Sequence, residues 1–294
     1  MQARTSAQTG AQTGAQTGAQ TGAQTGARAS ARVEAAIRDA NADGRAALIV
    51  YLPAGFPDLD GSRACLEAAA EAGADLLEVG FPYSDPLMDG PTIQAANQIA
   101  LEHGYSPADD FALCSRLTAA VEVPALVMTY YALAWHYGAS ARLAEFAAAA
   151  RDAGLAGAIL PDLPAEEGSP WLAAAAECDL ATVFLAAPTS TAERLDAVAQ
   201  ASTGFVYATS TLGVTGERAS LSARAAPLVA RLRERTKRPV CVGIGVTTPE
   251  HAREVAGFAD GVIVGSAAVA AARTGGPDAV AALVRALAAG CRRG

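Results

Sequence analysis

The stretch Leu76-Leu77-Glu78-Val79-Gly80-Phe81-Pro82-Tyr83-Ser84-Asp85-Pro86-Leu87-Met88-Asp89-Gly90-Pro91-Thr92-Ile93-Gln94 begins as the apolar run of a buried parallel strand, but Glu78 stands inside it. Burying an unpaired charge is costly or raises the pKa of the group, which indicates that Glu78 has a function. The loop that follows carries two more acids, Asp85 and Asp89. A strand-end acid and a loop acid can face one pocket; alternatively, the two aspartates only cap turns.

The rest of the chain repeats one pattern around this strand. Short runs rich in Val, Ile and Leu alternate with alanine-rich segments of helical periodicity. The predicted strands are Ala46-Tyr51, Asp75-Val79, Ala125-Met128, Gly157-Leu160, Thr182-Leu185, Gly204-Tyr207, Pro239-Val242 and Gly261-Val264. The alternation predicts an α/β fold, a single (β/α)8 TIM barrel. An open doubly wound sheet is the alternative.

The amino-terminal region differs in composition from the barrel. Residues 7–26 are five copies of Ala-Gln-Thr-Gly, without the features of a signal or transit peptide. We expect residues 1–29 to form a disordered low-complexity tail and residues 30–294 to form the barrel domain. Helical spacing between Ser30 and Asp43 predicts an extra helix that covers the bottom of the barrel.

Composition excludes several classes of function. The net charge of -8 argues against a nucleic-acid partner or an anionic membrane surface, and no long uncharged apolar run predicts a membrane span. The five cysteines are scattered and odd in number, which is typical of reduced thiols in a cytoplasmic protein. Neither these cysteines nor the three histidines have the spacing of a metal site.

Glycines follow the last two predicted strands. Gly243-Ile244-Gly245 allows close approach of backbone to a ligand, and Gly265-Ser266 precedes a helical segment whose free N–H groups can bind an anion. Barrel enzymes commonly bind phosphate at these two strand ends, so we favour a phosphate site over plain tight turns.

The motifs together resemble one family, the tryptophan synthase alpha chain. The similarity is carried by the long second-strand segment and by four shorter motifs, in the family's order and spacing. The shorter motifs are Pro161-Asp162-Leu163-Pro164, Gly213-Val214-Thr215-Gly216, Val242-Gly243-Ile244-Gly245 and Gly265-Ser266-Ala267. The second-strand segment is very specific, whereas the glycine motifs alone would not be.

The resemblance implies a lyase that splits indole-3-glycerol phosphate into indole and glyceraldehyde 3-phosphate, in tryptophan biosynthesis, without a metal or an organic cofactor. Glu78 matches the family's proton-transferring glutamate, and Asp89 matches the aspartate that hydrogen-bonds the indole N–H. Burial is expected to raise the pKa of Glu78, while Asp89 stays ionised on its loop.

Further positions match residues that the family uses to bind its substrate. Those expected to line the indole pocket are Tyr51, Ile93, Thr129, Ile159 and Tyr207; Tyr207 could equally be a core residue. Those expected to contact phosphate are Gly216, Gly243, Gly245, Gly265 and Ser266. The loop from Ser210 to Arg218 matches a lid that closes over the substrate.

The family's partner is a pyridoxal-phosphate beta chain, with which it forms an alpha2beta2 heterotetramer. Pro82 and Asp85 match the loop that signals to this partner. Ala132 replaces an asparagine near the beta-chain contact, and Thr211 replaces an arginine found in some members before the lid motif. Because of Ala132, a free-standing lyase that supplies indole to another pathway stays an alternative. A non-catalytic barrel that serves as a partner of a beta chain is a further alternative.

Overall fold

The computed structural model describes residues 28–139, 142–209, 221–243 and 245–293. Eight parallel strands close into one barrel in chain order, which confirms the predicted TIM barrel and excludes the open sheet. The strands are β1 (Ala47–Pro53), β2 (Leu76–Gly80), β3 (Ala125–Met128), β4 (Gly157–Ile159), β5 (Ala181–Ala186), β6 (Val206–Thr209), β7 (Val240–Gly243) and β8 (Gly261–Val264). Each predicted strand overlaps the observed one.

Helices surround the barrel. They are α1 (Ala29–Ala42), α2 (Leu59–Glu71), α3 (Pro91–Glu102), α4 (Pro107–Ala120), α5 (Tyr131–His136), α6 (Leu143–Asp152), α7 (Ser169–Glu177), α8 (Ala192–Ala201), α9 (Leu221–Arg233), α10 (Pro249–Ala256) and α11 (Ser266–Gly290). A short 3₁₀ turn spans Ala165–Glu167. Non-helical backbone at Gly275 and Gly276 divides α11 into two segments. None of the helices within the described part of the chain could cross a membrane.

The extra amino-terminal helix closes the bottom of the barrel, as predicted. Val33, Ile37 and Ala40 of α1 are fully buried and belong to the apolar cluster inside the barrel. The backbone N–H and hydroxyl of Ser30 donate to the carbonyl and carboxylate of Asp179, at 3.1 and 2.8 Å, which fixes the start of α1. The predicted tail lies outside the described residues, apart from the last two positions of its range.

Side chains alternate along each strand between the barrel interior and the helix layer. Leu76 belongs to the interior cluster, whereas Leu77 and Val79 belong to the cluster between strands and helices. Because Glu78 lies two residues beyond Leu76, its side chain faces into the barrel. The fold therefore places a carboxyl group inside a closed apolar wall.

Candidate functional site

Glu78 lies near the carboxyl end of β2, paired in register with Tyr51 of β1 and Leu126 of β3. The residue is only 1% exposed, and its Oε1 has no hydrogen-bond partner among the residues that the structure describes. Burial raises the pKa of Glu78 to about 8. The group is therefore mainly protonated at neutral pH and can act as an acid.

Asp89 lies on the loop between β2 and α3 and is partly buried. Asn97 Nδ2 donates to Asp89 Oδ2 at 2.9 Å, and the Tyr130 hydroxyl accepts the N–H of the neighbouring Met88 at 2.9 Å. Burial raises the pKa of Asp89 to about 6, and the Tyr130 hydroxyl and the Asn97 amide oppose this rise. Asp89 is thus mainly ionised at pH 7, as expected from the sequence, although its pKa is not the ordinary value.

Two tyrosines lie near both acids. Burial is the main cause of the raised pKa of Tyr51 and of Tyr207, and the charges of Glu78 and Asp89 add to it at each phenol. A Coulomb interaction weakens in proportion to distance, so the largest effects come from neighbouring charges. The predicted pocket tyrosine, Tyr207, is therefore close to the two acids.

Glycines leave room for these tyrosines. A Cβ atom at Gly80 would lie 2.2 Å from the Tyr51 hydroxyl, and one at Gly243 would lie 2.2 Å from the Tyr207 hydroxyl. At Gly265 the added atom would lie 3.4 Å from Ile93 Cδ1 and 3.5 Å from Tyr51 Cδ1. The predicted residues Tyr51, Ile93 and Gly265 therefore meet at one wall of the pocket.

The remaining positions predicted to bind the indole lie on neighbouring strands. Ile159 is fully buried in the interior cluster at the end of β4. Thr129 follows β3, is 1% exposed, and donates its backbone N–H to the Ile159 carbonyl at 3.1 Å. The Thr129 hydroxyl has no hydrogen-bond partner among the described residues.

The predicted phosphate positions that the structure describes come together at the ends of β7 and β8, which are paired. Gly243 ends β7, and Gly245 has a φ of +57°, a conformation that glycine adopts readily. Gly265 is the N-cap residue of α11 and Ser266 is its first residue. Free N–H groups and the helix dipole favour an anion there. Gly216, Thr211 and the predicted lid lie outside the described residues.

The positions predicted to face a partner lie on the surface beside the site. Asp85 is exposed, while Pro82 and Ala132 are partly exposed. The loop from 81 to 90 is joined to the start of α5 by stacking of Tyr83 on Tyr130, with ring centroids 5.1 Å apart.

Sequence reasoning missed Asn97 and Tyr130 as site residues. Asn97 is buried on the inner face of α3 together with Ala96 and Ala100. A polar residue on an otherwise apolar helix face is a detectable signal, but it can be used only once the bounds of α3 are known. Tyr130 follows a predicted strand, and that position alone does not indicate a role.

The closed barrel, with two acids near the carboxyl ends of its strands, places the protein in the class of (β/α)8-barrel proteins. The family model of the tryptophan synthase alpha chain matches residues 37–290. The chain belongs to this family, and the reaction it catalyses is the cleavage of indole-3-glycerol phosphate to indole and glyceraldehyde 3-phosphate.

Individual relatives agree with the family match. The tryptophan synthase alpha chain of Streptomyces avermitilis is 50% identical over 260 residues, which cover 87% of this chain and 92% of the relative. A structure of Mycobacterium tuberculosis tryptophan synthase has a TM-score of 0.82 and 46% identity, covering 90% of this chain and 99% of that one. Tryptophan synthase subunit alpha from Legionella pneumophila has a TM-score of 0.77 and 31% identity, covering 88% and 98%.

The close approach of Gly243 to Tyr207 gives a testable prediction. We expect Gly243→Ala to lower kcat/KM for indole release by at least about tenfold, because the added methyl group displaces the phenol from the pocket. Gly257→Ala is the control, since its nearest contact would be 3.3 Å, to a carbonyl oxygen far from the site. Equal kinetics for the two variants would show that Tyr207 has no part in the pocket.

Proposed function

We propose that Glu78 and Asp89 carry out the cleavage. Glu78, as the neutral acid, gives its proton to indole C3, and the ring becomes an indolenine cation. Asp89, as the carboxylate, hydrogen-bonds the ring N–H and stabilises that positive charge. The observation that supports this most directly is that Glu78 is buried inside the barrel wall, while Asn97 holds Asp89 near the same two phenols, Tyr51 and Tyr207.

The second half of the reaction returns Glu78 to its starting state. Its carboxylate accepts the proton of the hydroxyl group on the carbon attached to C3. The bond between that carbon and C3 then breaks, its electrons neutralise the ring cation, and an aldehyde forms. The proton given to C3 replaces the carbon substituent that leaves, so glyceraldehyde 3-phosphate and indole are released without a net proton change on the enzyme.

Substrate binding is proposed for the surrounding residues. Apolar and aromatic side chains would hold the indole, and backbone N–H groups at the ends of β7 and β8 would hold the phosphate without adding net charge. The indole set is Tyr51, Ile93, Thr129, Ile159 and Tyr207, and the phosphate set is Gly216, Gly243, Gly245, Gly265 and Ser266.

A beta chain is proposed as the partner, in an alpha2beta2 heterotetramer. Support comes from the family and from the surface beside the site, where Leu87 is 86% exposed next to Asp85 and Pro82. On the neighbouring α5, Tyr131 stacks with Trp135 at 5.7 Å. Apolar and aromatic side chains of this kind are enriched in protein interfaces. Ala132 favours a second candidate, a free-standing lyase.

Steady-state indole release, measured with the isolated chain and with a beta chain titrated in, tests this proposal. We expect activation of about tenfold or more, the usual size of coupling between sites. Asp85→Asn should reduce the activation, and Asp152→Asn, an exposed acid at the end of α6, is the control. Full activity without activation would support the free-standing lyase, and no indole under any condition would contradict the catalytic proposal.

A further inference from the structure

We infer that Tyr130 and Asn97 are positioning residues that hold Asp89 in place as a directed carboxylate. The inference rests on the proposed role of Asp89 and extends it, because it names the groups that give this loop acid a fixed orientation. Neither residue is required to touch the substrate for this purpose. Both act through Asp89.

Asn97 approaches Asp89 from α3. The side chain is 3% exposed, and its Nδ2 donates to Asp89 Oδ2 at 2.9 Å. Gln94, one turn earlier on α3, donates its Nε2 to the Asp89 carbonyl at 2.8 Å. The helix therefore holds both the backbone and the carboxylate of Asp89.

Tyr130 lies two residues beyond the end of β3 and contacts the loop that carries Asp89. It is buried, its ring stacks on Tyr83, and its hydroxyl oxygen accepts the Met88 N–H at 2.9 Å. An oxygen that accepts a backbone N–H still has its own proton to donate. We assign that proton to the neighbouring Asp89 carboxylate, whose pKa Tyr130 lowers. One hydroxyl thus fixes the loop and orients the acid that the loop carries.

The backbone at Tyr130 is held by residues outside the loop from 81 to 90. Tyr130 is the N-cap residue of α5, and the next backbone N–H, that of Tyr131, donates to Asp162 Oδ1 at 2.8 Å. Asp162 belongs to the loop after β4. The position of Tyr130 is therefore set by two strand ends rather than by the loop from 81 to 90.

These two donors leave Asp89 able to bind a third. An ionised carboxylate has about four lone-pair sites, so a ligand N–H can still be accepted. Among the described residues, Tyr51 of β1, Glu78 of β2 and Tyr207 of β6 are further titratable groups near Asp89. Burial favours the neutral form of Asp89, while Tyr130 and Asn97 favour the carboxylate. The pair therefore keeps Asp89 ionised while Glu78 is protonated.

The test uses Tyr130→Phe, which keeps the ring and its stacking and removes only the hydroxyl, and Asn97→Leu, which keeps the volume and removes the amide. The matched control is Tyr137→Phe, the same deletion at the other end of α5. The readout is kcat/KM for indole release, measured from pH 5 to pH 9. A purely structural defect would lower kcat/KM by the same factor at every pH and would not move the profile.

In the unchanged protein we expect kcat/KM to fall at low pH with a midpoint near pH 6, the pKa of Asp89. In Tyr130→Phe and in Asn97→Leu this acidic limb should move up by about one pH unit. A shift of that size lowers kcat/KM by about fivefold at pH 6 and only slightly at pH 8. The limb should stay in place in Tyr137→Phe. An unmoved limb in both test variants would overturn the inference.

A second measurement separates this inference from the proposed function. In an Asp89→Asn background, adding Tyr130→Phe should change turnover by less than about twofold, because the group it positions is no longer a carboxylate. An equal loss from Tyr130→Phe in both backgrounds would contradict the positioning role. Asp89→Asn with unchanged turnover would instead contradict the role of Asp89 itself.

Discussion

Glu78→Gln is expected to lower the turnover number for indole release by at least about a hundredfold, with little change in substrate binding. Glutamine keeps the size of the side chain, so the pocket formed with Tyr51 and Tyr207 is preserved. An amide, however, can neither give a proton to C3 nor accept one from the hydroxyl group. The loss should therefore appear in kcat and leave the dissociation constant of a non-reacting substrate analogue within about threefold.

The pH profile makes this first prediction more specific. With Glu78 active as the acid, kcat/KM should fall above pH 8, the pKa of that group, and this basic limb should be absent from the residual activity of Glu78→Gln. Glu34→Gln is the control, because Glu34 pairs with Arg38 and Arg238 at the bottom of the barrel. Near-normal turnover in Glu78→Gln would remove Glu78 from the proposed role.

The barrel could be predicted from sequence because its strands are buried on both sides. Runs such as Ala125–Met128 and Gly261–Val264 contain no polar residue and lie between clear helical segments, so predicted and observed bounds agree. The sequence predicts β6 two residues earlier than the observed Val206–Thr209, because Gly204 and Phe205 continue the same apolar run. Apolar periodicity does not show where hydrogen bonding between strands begins.

The site was harder to predict than the fold. Glu78 could be identified because a carboxylate is unfavourable inside a buried apolar strand unless it has a function. Asn97 and Tyr130 could not, because their importance depends on α3 and on the end of β3 converging on the same loop residue. That convergence is a property of the closed barrel and is not visible in local sequence. The raised pKa of Asp89 has the same origin, since it follows from burial beneath these elements.

Glu78 should also make the stability of the protein fall as pH rises. Its pKa goes from the ordinary 4.5 to about 8 on folding, so the folded state holds a proton that the unfolded state releases between these values. Stability from this group is complete below pH 4.5 and is lost as pH rises toward 8. At about 1.4 kcal/mol per pKa unit, the loss is on the order of 4 kcal/mol.

Glu78→Gln isolates this effect because the amide does not titrate. We expect the variant to match the unchanged protein near pH 4.5 and to exceed its free energy of unfolding by up to about 4 kcal/mol at pH 8, measured by urea unfolding at both pH values. Asp110 is a buried acid on α4 with a pKa raised to about 7, and both it and Asp89 also lower stability as pH rises. Both acids are present in the variant and in the unchanged protein. Their contributions therefore cancel when the two free energies of unfolding are subtracted. A difference that stays constant between pH 4.5 and pH 8 would mean that Glu78 is not desolvated. In contrast, a difference that grows with pH, together with a loss of turnover, would show that the burial that keeps Glu78 protonated at neutral pH also destabilises the fold as pH rises.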